Sequence, residues 1–541
     1  MENLKSCIRK KARNRTVLIL SIVLFSLAIQ AQTFSYRAND DLNSSYVSVL
    51  IQPFGYQTIG ARIDTNEMYH FNTVIKNFNF NGEVIDTKNY YFPNRIFHPS
   101  RDNNARLNDS TTVTVMRESI SGNDTLFSTV VWLTNEGDTL LTKRFGSPYF
   151  ISGNISTNLN VPTCIICSPD GQFIYFVSQI FHSSSQNNFM IKKINAQGFE
   201  IWTYINPLNS GYNCNSIAYY NERIWFVRAS SFGTSSTVSR IIGLNSYTGE
   251  IETNQTISLL NLEFIEPLDM LIENGTFTFA ESEVITGGDF LPIIYQCSSN
   301  GIELFQVSPT GAQYDFQQQT DHLVQSSDGG YVLCSVKFEV QSNPFEPNET
   351  SSNNTNKKIW LWKVDSLGIF QWQRFYEYLS FDSGYFFLNN TANDLKSTPD
   401  GGYIMAGEST SLCINWPSCS EVTQQGWLLK VDGCGCLVPG CDQNCVVTNS
   451  ENVLESHENY FLFGPNPVDD MLNIYVPTLS IPMKELTFSL FDVQGKQLKE
   501  FQFESDNTTY MIDVSPLASG NYILSVSHNG QLLESKKVVK E

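Results

Sequence analysis

The chain has 541 residues, 41% hydrophobic and 13% aromatic, with only 16% charged and a formal net charge of −20. That apolar content excludes a disordered chain, and the length allows more than one domain. The acidic balance argues against a nucleic-acid partner, whose phosphates need stripes of Lys and Arg; solubility outside the cell is explanation enough.

Residues 1–31 read as a secretory signal peptide. Lys5, Arg9, Lys10, Lys11, Arg13 and Arg15 form a positive start, an apolar run follows from Val17 to Ile29, and Ala31 suits the last position before cleavage. The run is short for a membrane span, although an uncleaved anchor is the alternative. No later stretch has the length of a membrane helix, so no transmembrane segment is expected in the mature chain, which starts at Gln32.

Residues 32–433 carry a diluted repeat. Its clearest copy is residues 395–432: a turn at Asp400-Gly401-Gly402, alternation through Tyr403, Met405 and Gly407, then the apolar run Trp427-Leu428-Leu429-Lys430-Val431. The period is two, which is that of a strand. The copy before it reads SSDGGYVLCSV from Ser326, then IWLWKVDSLGIFQWQRFY from Ile359. The glycine of the second turn recurs at Gly82, Gly137, Gly198, Gly249, Gly301, Gly368 and Gly435. The spacing is roughly 50 to 70 residues, that of a propeller blade, and it predicts an all-β, seven-bladed β-propeller. Six or eight blades remain open. The last unit lacks an outer strand, and Thr33-Phe34-Ser35-Tyr36-Arg37 suits that position, so the N-terminal segment is expected to pair in the last blade and close the ring. The longest inserts, 343–358 and 413–425, are polar and fall where propellers carry contacts.

Ser326-Asp328-Gly330 and Thr398-Asp400-Gly402 resemble the Asp-box turns of sialidase-type propellers, with Leu333 and Met405 where an aromatic belongs. Both read as structural hairpin turns. Thr248-Gly249-Glu250 and the pairs Gly198/Trp202 and Gly368/Trp372 are similar to docking elements of quinoprotein-type propellers, in which the Trp packs between blades. No adjacent cysteine pair or acidic cluster accompanies them, and no cofactor is expected.

Of twelve cysteines, Cys7 lies in the signal. In an exported chain, clustered cysteines favour disulfides. Cys413 and Cys419 bracket one loop and are expected to pair. Cys434, Cys436, Cys441 and Cys445, in the linker 434–459, are expected to form a two-disulfide knot, with a four-thiolate zinc site as the alternative. Cys164 and Cys167 form a C-x-x-C within an apolar strand, without the helix N-terminus that a redox role needs.

Residues 460–541 alternate as strands split by turns, a small β-sandwich. The motifs are Pro465-Asn466-Pro467 followed by Asp470, Leu472 and Ile474; FDVQGK with Gly495; Leu517-Ala518-Ser519-Gly520-Asn521-Tyr522; and Lys536-Lys537 near the end. Together they resemble the type A C-terminal sorting domain of proteins exported by the type IX secretion system of Bacteroidetes. Gly464 stands where the family has an aromatic. The resemblance implies the type IX machinery as partner, passage across the outer membrane, and cell-surface attachment or release. Asp124-Thr125-Leu126, Asp138-Thr139-Leu140 and Asp365-Ser366-Leu367 look like the O-glycosylation acceptor of such bacteria, and turn chemistry explains them equally well.

Local motifs for catalysis are missing. His70, His98, His182, His322, His457 and His528 form no metal-binding spacing, and there is no nucleophile elbow or P-loop. A glycosidase built from carboxylates on separate blades would leave no local motif. Three readings follow: a non-catalytic module binding glycan or protein, a secreted carbohydrate-active enzyme, and a structural envelope component. Convergent channel carboxylates would favour the enzyme, and an aromatic patch on one face the binding module.

Overall fold

The computed structural model describes residues 32–39, 42–64, 70–90, 95–120, 123–146, 159–183, 186–206, 214–231, 237–257, 268–284, 290–309, 322–340, 355–378, 385–413, 424–438, 441, 462–464, 468–475, 485–492, 496–502, 509–528 and 531–540. The signal peptide, Cys419 and Cys445 lie outside them. The chain is all-β: among the described residues every α-helix is absent and the strands join into antiparallel meanders.

The repeat emerges as four-stranded units. The first runs Ser44–Gln52, Gly55–Asp64, His70–Asn79 and Val84–Tyr90. The second runs Arg95–Asn108, Thr111–Ile120, Asn123–Thr134 and Thr139–Phe145. Units three to five span 159–205, 218–256 and 269–307 in the same way. Unit six is His322–Gln325, Tyr331–Val340, Thr355–Val364 and Phe370–Tyr376. The seventh has Tyr385–Ser397, Tyr403–Cys413 and Gln425–Val431, and its fourth strand is Phe34–Arg37. That strand runs antiparallel to the last one, with Phe34 opposite Lys430 and Arg37 opposite Trp427. The N-terminal segment therefore does close the last sheet.

The first strand of each unit touches those of the units before and after it, and the strand of unit seven returns to that of unit one. The core is accordingly not one mass. Among the described residues a separate apolar cluster fills each seam, such as Val113, Val130, Ile165 and Phe176 between units two and three or Val332, Leu361, Met405 and Leu429 between units six and seven. Alternation of apolar residues along each strand supplies both faces of a unit, one to each seam.

The seven glycines that mark the repeat all have positive φ, from 69° to 91°. The second reason for glycine is space. At Gly249 a Cβ would lie 2.8 Å from the Trp202 indole of the preceding unit, and at Gly435 2.8 Å from Trp372. At Gly82 it would overlap the Phe34 ring, so the closing strand does for units seven and one what Trp202 does for three and four. Both Trp residues thus pack between units.

The C-terminal residues form a separate sandwich of two sheets. One holds Leu462–Gly464, Met471–Tyr475 and Thr509–Asp513; the other holds Gln497–Phe501, Leu486–Asp492, Gly520–His528 and Gln531–Lys540. Val468, Leu472, Ile474, Phe488, Leu524 and Val526 are buried between them. Among the described residues no helix is long and apolar enough to cross a membrane.

Candidate functional site

The channel is lined by the first strands, and their carboxylates decide what chemistry it can host. Asp394 is fully buried; its Oδ2 accepts from the Val49 amide of unit one at 2.8 Å, and its Oδ1 lies 2.6 Å from Lys396 Nζ. The neighbouring Asn393 donates to the Tyr46 carbonyl at 2.9 Å. Asp269 of unit five accepts from the Leu323 amide of unit six at 3.0 Å and from Ser216 Oγ of unit four at 3.3 Å. These side chains pin one unit to the next: each satisfies a backbone group that the neighbouring strand leaves open.

Glu273, at the other end of the strand Asp269–Glu273, has its carboxyl pushed up by burial, partly offset by the Gln325 amide that donates to it. Four residues along a strand separate the two carboxylates by about 13 Å, beyond the roughly 5 to 9.5 Å that acid–base hydrolysis of a glycoside uses. Among the described residues no cluster of His, Cys, Asp or Glu could hold a metal ion.

The Ser/Thr-x-Asp-Gly patterns are hairpin turns, as read from the sequence. Gly402 N donates to Asp400 Oδ1 at 3.2 Å, and Gly401 N to the Thr398 carbonyl at 2.9 Å. What sequence reasoning missed is the cation beneath each turn. Lys430 Nζ, fully buried, sits 2.9 Å from Asp400 Oδ2, and Lys363 Nζ pairs with Asp328 in the same way. In unit three Lys193 instead donates to the Ser246 carbonyl of unit four at 2.7 Å and lies 3.6 Å from the centre of the Phe173 ring. The repeated Lys-Val-Asp before the second turn was the available signal.

The glycine-turn face carries exposed aromatics at two successive seams, Phe199 of unit three beside Lys143 of unit two and Tyr247 of unit four beside Lys193 of unit three. Phe199 is 62% exposed and Tyr247 58%, and Ile201 and Ile251, on the strands that follow the two turns, are exposed as well. Lys143 Nζ lies 5.2 Å from the Phe199 ring, and the Tyr247 hydroxyl donates to Glu222 at 3.1 Å. Trp202 holds this turn in place through an indole hydrogen bond to the Ser246 carbonyl, 3.1 Å. Stacking planes with polar neighbours suit a sugar ring or an apolar side chain.

The cysteines fall as follows. Cys436 and Cys441 are joined by a disulfide with a Cα–Cα distance of 5.7 Å, and Cys434 is also disulfide-bonded. The knot sits on the second turn of unit seven, where Tyr376 of unit six donates to the Gly435 carbonyl at 2.6 Å. Two sulfurs bonded to each other leave the alternative zinc site without its ligands. The Cys413 side chain lies outside the described residues. The Cys167 thiol is pushed up to about 12 by burial, the reverse of an activated nucleophile. Alkylation of Cys167 at pH 8 is expected to run roughly 50-fold slower than that of a free cysteine, counting the smaller thiolate fraction against its greater nucleophilicity. Mass spectrometry after iodoacetamide treatment, with and without urea, reads this directly, and equal labelling in both would refute it.

In the C-terminal sandwich Tyr522 is buried and its hydroxyl donates to the Ala518 carbonyl at 2.6 Å, which ties the Ser519-Gly520 turn to its strand. Lys536 lies on the last strand, and the Lys537 side chain, Pro465, Asn466, Pro467 and Gly495 are outside the described residues.

Residues 463–541 match the family model described as secretion system C-terminal sorting domain. A search of curated proteins finds no match. Among solved structures, a europium-containing methanol dehydrogenase is similar over 74% of this chain and 92% of its own, with 9% identity and a TM-score of 0.39. A putative 6-phosphogluconolactonase from Bacteroides fragilis covers 61% and 87%, with 10% identity and a TM-score of 0.36. A subtype N10 neuraminidase-like protein of a little yellow-shouldered bat isolate covers 62% and 97%, with 10% identity and a TM-score of 0.34. Likenesses this distant say nothing about activity.

Proposed function

Because the chain ends in a type IX secretion C-terminal sorting domain behind a propeller-like body, we propose that it is an exported binding module, displayed on the cell surface or released, that holds glycan or protein without turning it over. Its domains are those read from the sequence: signal peptide 1–31, propeller 32–433, Cys-rich linker 434–459 and sorting domain 460–541. The use made of the described inner-strand carboxylates carries the reading. Asp269 and Asp394 are engaged with backbone amides of neighbouring units, and Glu273 with Gln325. A catalytic carboxylate must instead be free to meet the scissile bond. The exposed Phe199 and Tyr247 offer the ligand a surface. A glycan array run beside a turnover screen on the exported chain tests this. Saturable binding without product is expected, weakened about tenfold by Phe199→Ala with Tyr247→Ala, a loss in line with one or two stacking contacts. Product formation would overturn it.

A further inference from the structure

Among the described side chains, the end of unit two opposite the glycine turns holds more cations than carboxylates, in a chain of net charge −20. His98 and Arg117 stand directly opposite each other on adjacent strands, and Arg117 in turn faces Ser128 on the next strand. The three residues therefore share one face of the sheet. Ser128 Oγ is 2.7 Å from Ser178 Oγ of unit three, so this face looks into the seam between units two and three. Below it the seam is closed by Val113, Val130, Ile165 and Phe176. On the other face of the same strands Arg144 and Arg95 converge on one buried carboxylate, Glu118, with Arg144 Nε at 2.9 Å and Arg95 Nε at 3.6 Å. Glu118 cannot serve both faces, since adjacent residues of a strand point to opposite sides.

Arg117 is half-buried, and no described carboxylate pairs with it. Burial alone pushes its guanidinium down, while burial and then the Arg117 charge push the His98 imidazole down to about 4. A half-buried guanidinium is costly to keep without a counter-charge, of which the described residues offer none, and it is the side chain best shaped to fork onto a planar or tetrahedral oxyanion. The hydroxyls of Ser128 and Ser178, fully buried and bonded to each other, close the seam beneath it.

We propose that Arg117, with His98 beside it, forms a binding site for the carboxylate or sulfate group of an acidic glycan at the upper end of the seam between units two and three. The proposal deepens the binding-module reading and rests on it for the choice of a glycan.

Calorimetric titration of the exported chain at low salt tests the site. The probes are tetragalacturonate and a sulfated galactan tetrasaccharide, with the methyl-esterified and desulfated forms as neutral counterparts. At least tenfold tighter binding of one charged form over its neutral counterpart is expected, and Arg117→Met should remove that preference. Arg240→Met, which deletes an equally charged, partly exposed side chain on unit four, should leave it intact. Equal affinity for charged and neutral forms would overturn the site while leaving a glycan-binding module standing. Turnover of any probe would overturn the module reading but not the charge preference. Inorganic sulfate binding as tightly as the tetrasaccharide would mean an adventitious ion only, and a hexaglutamate peptide binding as tightly would mean an acidic protein ligand; either result rejects the glycan. Should Arg117→Met fail to fold, the comparison of charged with neutral probes on the unmodified chain still decides.

Discussion

Removal of residues 33–37 is expected to lower the thermal midpoint of the propeller by 10 °C or more and to make the chain aggregate in a concentration-dependent way. The strand Gln425–Val431 is buried along its whole length. Without Phe34–Arg37 it becomes an open apolar edge, which is a template for pairing with another chain. The lost contacts are specific. Trp427 Nε1 donates to Ser35 Oγ at 2.9 Å, and Tyr36 packs edge-on to Phe78 of unit one at 5.0 Å. Phe34→Ala alone should cost about 2 kcal/mol, below the roughly 3 to 5 of a fully buried aromatic because the ring is only half-buried. Differential scanning calorimetry on both variants reads the effect. Midpoints equal to that of the parent would show that the ring holds without its closing strand.

Asp400→Ala should destabilise the folded chain by about 3 to 5 kcal/mol, since it strands a buried cation. Lys430 would be left with the Val431 carbonyl, 3.0 Å away, and the more distant charge of Asp432. Replacing both partners, Asp400→Leu with Lys430→Met, should recover most of the loss, and chemical denaturation of the two singles and the double separates the pair energy from the rest. Burial by itself would raise the Asp400 carboxyl, but the Lys430 charge and the hydrogen bonds from Thr398 and Gly402 outweigh it and hold the group below the usual range. Asp328 is lowered in the same way by Lys363 and Gly330. The unfolded chain therefore takes up protons first as pH falls. The stabilisation is complete above about pH 4 and is lost as pH drops through the folded values. A midpoint that rises on acidification through this range would contradict the pairing.

The outer part of each unit was legible in the sequence and the inner part was not. Tyr403, Met405, Trp427 and Leu429 alternate cleanly because both faces of the middle strands are buried in seams. The first strand of unit seven reads Asn389-Asn390-Thr391-Ala392-Asn393-Asp394, which looks like a loop. It is a strand because its polar side chains are satisfied across the seam: Asn390 donates to the Lys357 carbonyl at 3.0 Å, and Asp394 accepts from the Val49 amide. Tertiary partners override the local pattern there. The glycine spacing was visible because a positive φ and a crowded neighbour both exclude a side chain, which leaves a mark in the sequence. The facing pair His98 and Arg117 left none, since their meeting depends on the register between two strands in the faint part of the repeat.

The closing strand also bears on the order of events during synthesis. Phe34 pairs with Lys430, so the contact that completes the ring joins positions almost 400 residues apart, and it forms slowly compared with the local hairpins. The strand that needs this partner emerges first and waits, exposed, until nearly the whole body has been made. The sorting domain matches only from residue 463 onward. A chain that displays its export address has by then already released both strands of the closing pair, so the address can be read only on molecules that hold everything needed to finish the ring.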